Sequence, residues 1–478
     1  MATMKLTAGA DVAEQQLGNE EALLILPHGY DPDEEDEPAY CFFAPAPEEP
    51  ASMEEALAGP DREKWLVSRD AEYQSLLENG TWDLVSRLVA NGFMQKEKQD
   101  FNEIFAPTAK PPTLRVLLAD AAVSGKFIIQ MDISTVFLNG ILEEDVYMTQ
   151  PPGTSSCDES LFLKGEGKKL VLFLVYVDDV LLFSSSMKEI QNVQQQLMKN
   201  FKCKTLGEVK YCLGMHVERD LDHRWLKLHQ EKFIKELGEK YGIENERKVA
   251  TSLPAEFKLV KAAEDEGVEA EEQQQFQSLV GSLLYAAVHT RPAISFSVGQ
   301  LDRVVQNPSE EQVDAAERVV KYLNSHPSIG VQYSASAQVK QKGVEVLKEK
   351  GERLGEGKLF LTCFTDATWA SEKDDSSSVG GYICVVGGGP VSWRSKKQTE
   401  TALSSVETEY MAIFHGMKEV IWLKRLLEEI GQEQKVATPL FCDRKGALGM
   451  ARNAVLHGLN KHMRIKWHLL RKEVKEEP

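Results

Sequence analysis

Six carboxylates sit where the sequence makes acids costly to place. The stretch Leu170–Phe183 reads as two apolar strands with Asp178 and Asp179 pinned between them, and neither Gly nor Pro eases the turn. Adjacent acids in such a hairpin repel each other and lose solvation unless a cation compensates. On spacing alone they could equally be polar residues at a hairpin tip. Phe127-Ile-Ile-Gln-Met-Asp132 ends another strand-like run in an acid. Read alone, Asp132 is an ordinary strand-end residue; beside the hairpin it is a candidate third ligand. Acids on separate strands can hold two Mg²⁺ ions a few ångströms apart, the arrangement for in-line phosphoryl transfer.

The second set lies near the C-terminus. Phe364-Thr-Asp366 and Phe441-Cys-Asp443 each end a strand, and Glu409 lies on a long helix between them. Taken singly, Asp366 could cap a turn, Glu409 could face solvent, and Asp443 could cap the following helix. The helix offers two acids. Ser404-Ser-Val-Glu407 fits a capping box, which assigns Glu407 a structural role. Glu409 precedes Tyr410, Ile413 and Met417, close to the buried stripe, and is the candidate ligand.

The elements that must position these acids are legible in the periodicity. Strands are predicted at 126–131, 146–148, 170–177 and 180–183, and helices at 52–77 and 187–200. Helical spacing over 276–322 breaks at Pro292 and Pro308. Further on, strands are predicted at 358–365 and 380–393, the latter turning at Gly387-Gly388-Gly389-Pro390, then a helix over 404–430, a short strand at 440–442 and a helix at 445–453. Strands alternating with helices in this part indicate a mixed α/β domain.

Composition sets the outer bounds. At 478 residues, 42% hydrophobic and 27% charged, the chain has the makeup of a globular protein with two or three domains. No apolar run reaches the roughly 20 residues of a membrane helix, so no membrane partner is expected and an intracellular location, cytoplasm or nucleus, is the default. Seven scattered cysteines with no Cys-x-x-Cys pair suggest neither a disulfide framework nor a zinc knuckle. The net charge of −19 by itself argues against nucleic acid, but its distribution weakens the objection. Residues 1–60 hold fourteen acids against Lys5 alone, whereas Arg444 to Lys475 holds nine bases against Glu473.

Phe105-Ala-Pro-Thr-Ala-Lys110, Gln130-Met-Asp-Ile-Ser-Thr-Val-Phe-Leu-Asn-Gly140, Val146-Tyr-Met-Thr-Gln-Pro-Pro-Gly153 and Tyr176-Val-Asp-Asp179 resemble consecutive blocks of copia-type reverse transcriptases. Leu206–Gly214 resembles their primer-grip region, and Ser278–Tyr285 with Thr290-Arg-Pro292 the connection that follows. Thr365–Ala370, Val391–Gln398, Ala402–Tyr410 and Lys461–His468 resemble copia-type ribonuclease H. The resemblance, over about residues 52–475, implies an α/β (α+β) chain. It would comprise a reverse-transcriptase palm remnant with an antiparallel sheet and helices, a helical connection, and a mixed-sheet ribonuclease H-like domain. The expected organisation is an acidic disordered segment at 1–50, truncated fingers and palm at 51–235, connection at 236–334, linker at 335–357 and ribonuclease H-like domain at 358–478.

The same resemblance implies the chemistry. Asp132, Asp178 and Asp179 would hold Mg²⁺ or Mn²⁺ for RNA-directed DNA synthesis, and Asp366, Glu409 and Asp443 would hold it for hydrolysis of RNA–DNA hybrid. Lys110 and Arg115 would face the incoming dNTP, Phe137 would gate against ribonucleotides, and Lys396 and Lys397 would touch hybrid phosphates. The implied partners are RNA template, DNA primer, dNTPs and hybrid. Three departures imply impaired catalysis. Only Ser86 separates the blocks 82–85 and 87–93, where the family carries a fingers segment. Only 154–170 remains where it carries a helix-bearing block before the Asp-Asp hairpin. Arg464 stands where a fourth acid is usual, with His462 nearby either as a proton relay or as a solvated residue. The alternative is an inactive relic that at most binds hybrid. The ribonuclease H-like part is expected to fold by itself from about Gly357.

Overall fold

The computed structural model describes residues 22–26, 109–133, 154–243, 248–254, 257, 259–260, 267–349, 354–369, 377–399, 402 and 404–452. The helix expected at 52–77, the strand at 146–148, Phe137, His462 and Arg464 lie outside the described residues. The chain forms two compact units, one of residues 48–110 and 126–209, the other of residues 1–47, 111–125 and 210–478.

The smaller unit is built on one antiparallel sheet. Its strands are β2 (Phe127–Ile133), β3 (Leu161–Lys164), β4 (Val171–Tyr176), β5 (Asp179–Ser184) and β6 (Cys203–Glu208), in the order β3-β4-β5-β2-β6. The two apolar runs flanking Asp178-Asp179 become β4 and β5, paired so that Tyr176 faces Asp179. A helix over Met187–Asn200, as its spacing predicts, starts where the Ser186 hydroxyl accepts from the Glu189 N–H. It lays Ile190, Val193 and Leu197 on Met131, Val180 and Leu182 of the sheet.

The larger unit carries two sheets and a helical cluster. Strands β7 (Tyr211–Cys212), β8 (Met215–Asp220), β9 (Trp225–His229) and β10 (Gly330–Ser334) form an antiparallel sheet in the order β10-β9-β8-β7. Helices over Glu231–Lys240, Ala270–His289, Ser295–Leu301 and Glu310–Ser325 bury a shared core that includes Ile234, Phe276, Leu283, Val298, Val319 and Leu323. The breaks fall at the prolines, with Ser309 after Pro308 capping the last helix through a reciprocal bond with Gln312.

The second sheet is mixed. It comprises β1 (Ala22–Leu26), β11 (Thr362–Thr368), β12 (Val379–Val386), β13 (Gly389–Lys397) and β14 (Thr438–Cys442), in the order β1-β14-β11-β12-β13. Strands β11 and β14 run parallel and the other pairs antiparallel. Gly387 (φ +64°) and Gly388 (φ +78°) make the two-residue turn between β12 and β13, a conformation that only glycine adopts cheaply at both positions. Helix α1 (Ser405–Glu429) covers one face, and Gly416 lets it come close, since a Cβ there would meet Thr365 Cγ2 at 2.6 Å.

Three expectations about organisation are corrected. The segment 335–357 is not a linker over its first part, which forms helices at Ala335–Val339 and Lys342–Glu349. Gln338 and Gln341 bond to the Lys358 carbonyl, the Phe360 N–H and carbonyl and Thr362, and Val344 and Leu347 pack on Phe360. Its Lys/Glu-rich composition hid an apolar pair at helical spacing. The helix Pro111–Ser124 and strands β7–β9, expected with the palm, belong to the larger unit. Within the acidic N-terminal segment, expected to lack regular structure, Ala22–Leu26 pairs antiparallel with β14 from Ala22↔Cys442 to Leu26↔Thr438.

Candidate active sites

In the smaller unit, register places the acids. Strand β2 pairs with β5 so that Asp132 lies opposite Asp179, and the Ile133 N–H bonds to the Asp178 carbonyl at 3.0 Å. Directly opposed residues in an antiparallel pair have Cα atoms roughly 5 Å apart. The turn is Val177-Asp178, with Val177 at φ +53°. That conformation costs a β-branched residue on the order of 1–3 kcal/mol. The strain leaves Asp178 exposed at the tip and Asp179 half-buried at the strand start.

Two neighbours engage these acids, and neither was singled out from sequence. Lys204 on β6 stands opposite Asp132 and its Nζ lies 3.1 Å from Oδ2. Gln130, two residues before Asp132 on the same face, donates from Nε2 to Asp179 Oδ1 at 3.0 Å. Alternation along β2 signals Gln130; Lys204 has no sequence signal, because only the β2–β6 register brings it there. Lys110 is exposed, donating from Nζ to the Cys157 carbonyl at 3.1 Å and from its backbone N–H to Asp158 at 2.9 Å.

Arg115, expected to face a triphosphate, requires correction. It is 3% exposed, on the helix Pro111–Ser124 within the larger unit. Its guanidinium lies 3.9 Å from the Trp393 ring centroid and donates to the carbonyls of Val391 (2.6 Å), Val288 (2.6 Å) and His289 (3.2 Å). Burial lowers its pKa to about 10, and Glu419 on α1 is among the groups that oppose the shift. Glu419 in turn accepts from Ser392 Oγ at 2.5 Å and Tyr382 Oη at 3.2 Å. Arg115 is part of a buried framework, with its Nε and Nη1 donors already committed.

In the larger unit, the parallel pairing of β11 and β14 brings two acids to one edge. Phe364↔Phe441 and Thr365↔Cys442 are register partners, so Asp366 and Asp443 follow side by side where the pairing of β11 with β14 ends. The Phe364 and Phe441 rings stack at 5.1 Å beneath them. Glu409 reaches the same edge from α1 and is 2% exposed. Its neighbour in the helix start behaves as capping predicts on one side, the Ser404 hydroxyl accepting from the Glu407 N–H at 3.3 Å. Lys396 and Lys397 lie on β13, the former exposed, paired with Gly380 and Val379.

The electrostatics show how closely these acids crowd. Burial, then the charges of Asp443 and Asp366, pushes Glu409 up to about 8. Burial and Asp443 raise Asp366 as well. Arg444 pulls both back, a role its position next to Asp443 makes readable in hindsight. Cys442 joins the group. Its Sγ lies 3.8 Å from Glu409 Oε2 and accepts from the Arg444 N–H at 3.5 Å, while burial pushes the thiol up to about 12. One ligand atom each from Glu409, Cys442 and Asp443 lie within 4.8 Å of one another, a set able to hold a metal ion.

Residues 63–160 and 154–255 match the family model described as reverse transcriptase (RNA-dependent DNA polymerase). The match comes in two segments that overlap at 154–160, inside the stretch where the resemblance led to the expectation of a missing block. The chain is 30% identical over 90% of its length to the Retrovirus-related Pol polyprotein from transposon TNT 1-94 of Nicotiana tabacum, of which it covers 36%. It is 29% identical over 90% of its length to that from transposon RE1 of Arabidopsis thaliana (32% of the relative), and 27% over 91% to that from RE2 (33%). The chain is related to the copia-type Pol polyproteins, with reverse-transcriptase family sequence over residues 63–255. It spans about a third of the length of these Pol relatives. Mixed helices and antiparallel sheets accord with that family, and among the described residues no helix is long and apolar enough to cross a membrane.

Proposed function

We propose that this Pol segment retains a weakened ribonuclease H centre at Asp366, Glu409 and Asp443 and a polymerase centre that scarcely turns over. The observation that carries the reading is the convergence of three carboxylates from two parallel strands and a helix, with Glu409 almost wholly buried and held near pH 8. A cluster of that charge, with Glu409 buried beneath the other two acids, favours divalent cations, since each unit charge at 4 Å is worth about 4 kcal/mol at an effective dielectric near 20.

Bound Mg²⁺ or Mn²⁺ supplies Lewis-acid polarisation of a phosphate and a more acidic water. Asp366 and Asp443 offer charge at the open edge of the sheet. Glu409 offers it from beneath, and Lys396 and Lys397 supply cations for the phosphates of an RNA–DNA hybrid. At the other centre Asp132, Asp178 and Asp179 are the acids for a primer 3′-hydroxyl and a dNTP on an RNA template. There, Lys204 must release Asp132 and Gln130 must release Asp179 before either can serve. With Arg115 buried and the family match falling into two segments at 154–160, the walls that position template and nucleotide are depleted, and phosphoryl transfer depends on positioning.

The test is cleavage of labelled RNA in an RNA–DNA hybrid by the full chain. Feeble Mg²⁺-dependent cleavage that Asp443→Asn abolishes is expected; cleavage indifferent to that change does not belong to this site and overturns the reading. The basic run from Arg444 to Lys475 favours a second reading, a relic that binds hybrid without cutting it. Salt-sensitive hybrid retention with no cleavage would select it.

A further inference from the structure

We propose that Trp369 is a specificity surface of the ribonuclease H centre, its exposed indole face lying against the sugar rings in the minor groove of an RNA–DNA hybrid and finding no seat in B-form DNA. The inference rests on the preceding reading for its substrate and concerns binding alone. Trp369 follows the last residue of β11, three positions after Asp366, and is 52% exposed. Among the described residues no large apolar side chain is more exposed. A strand rises about 3.3 Å per residue, so the Trp369 backbone lies at most about 10 Å from that of Asp366. That is about three base steps along one strand of a duplex.

The ring is held while its face stays open. Its Nε1–H donates to the Ala402 carbonyl at 3.2 Å, two residues before the Ser404 cap of α1. The Ala367 N–H donates to Asp366 Oδ1 at 2.9 Å and also to the Glu409 carboxylate, and the Thr368 hydroxyl donates to the Val379 carbonyl at 3.4 Å. The segment from Asp366 to Trp369 is thereby tied to β12, to α1 and to the residues just before it. With the polar edge of the indole committed to protein, its ring face is the part offered to a ligand. Cations share that end of the sheet. Thr368 pairs with Val379 and Val379 with Lys397, so Lys397 lies in the same row two strands away, roughly 10 Å, with exposed Lys396 next to it. A strand whose phosphates reach from Asp366 to these lysines passes over the end where Trp369 stands. In an intact duplex the bases are paired and stacked, and an aromatic face can reach only the sugar rings. A hybrid takes A-like geometry, whose minor groove is wide and shallow. That of B-DNA is about 6 Å wide and 7.5 Å deep, too narrow for a ring to lie flat on its floor. Trp369 therefore favours the hybrid by shape, with no base read.

The experiment measures binding of a labelled RNA–DNA hybrid, and of a DNA duplex of the same sequence, to the full chain in metal-free buffer, so that the readout involves no turnover. Trp369→Ala should weaken hybrid binding about tenfold and change DNA binding by less than about twofold. Trp369→Phe keeps a ring face but loses the bond to Ala402, and should retain most of the affinity. Unchanged hybrid binding in Trp369→Ala, or an equal loss on both duplexes, overturns the inference. So does a Trp369→Phe variant as weak as Trp369→Ala with its melting temperature lowered alike, which would make the indole a tie between strand and helix. Cleavage abolished by Asp443→Asn together with hybrid binding indifferent to Trp369 sinks this inference alone. Trp369-dependent hybrid binding without cleavage sinks the nuclease and leaves the surface. An unaltered chain that binds no hybrid sinks both.

Discussion

Glu409 has the largest consequence of any single side chain, because its carboxyl titrates near pH 8 rather than its ordinary 4.5. A carboxyl raised on folding binds a proton in the native state that the unfolded chain has lost. Its stabilising contribution is complete below about 4.5 and declines as pH rises toward 8. The metal-free chain should therefore lose on the order of a few kcal/mol of stability from pH 5 to pH 8 and melt at progressively lower temperature. Mg²⁺ should restore most at the alkaline end, where Glu409 is charged and most in need of a cation. Glu409→Gln should flatten both dependences; a thermal melt that remains as pH-sensitive in the variant would place the titration elsewhere. The family resemblance puts an acid at the position of Arg464, which lies outside the described residues. Arg464→Asp should increase hybrid cleavage, and an unchanged rate while Asp443→Asn abolishes it would refute a fourth-ligand role.

At the scale of elements, the helix Pro111–Ser124 has the most unexpected place. It is buried almost throughout and packs within the larger unit, where Arg115 reaches Val391 on β13 and Gln432 bonds to Asp120. Removing the guanidinium takes the donor from three carbonyls and one of two nearby positive charges, the other being Arg394, from Glu419. Arg115→Ala should cost about 3–5 kcal/mol in urea unfolding, with Arg115→Lys recovering only part because the fork and the stack on Trp393 are lost. The same packing argues against the expectation that the ribonuclease H-like part folds by itself from Gly357. Tyr333 bonds to Pro390, Trp393 to Ala287, and Gln338 and Gln341 to the start of that domain. A fragment of residues 357–478 should show no cooperative unfolding transition, whereas the full chain should. A cooperative transition in the fragment would show these contacts to be dispensable.

Across the whole molecule, two acid centres occupy separate compact units, and their prospects differ. The larger unit brings its three acids together on paired strands and a helix, whereas the smaller one engages Asp132 with Lys204 and Asp179 with Gln130. Primer extension on an RNA template should be barely above background while hybrid cleavage is measurable. Processive extension abolished by Asp178→Asn would reverse that ranking.

Much of this was written in short-range pattern. The apolar runs around Asp178-Asp179, the cap at Ser404, the prolines at 292 and 308 and the helix at 187–200 all act within a few residues, so periodicity and capping reveal them. The six acids were singled out for the same reason: each was read as ending a strand, tipping a hairpin or bordering a buried stripe. Pairings across the chain are set by register and packing, which no local pattern encodes. Only the folded chain put Lys204 beside Asp132, turned Cys442 toward Glu409, and took Arg115 from an expected nucleotide site into a buried stack on Trp393. It also made helices of part of the Lys/Glu-rich stretch after Ser334, where burial of Val344 and Leu347 outweighs a composition that reads as linker.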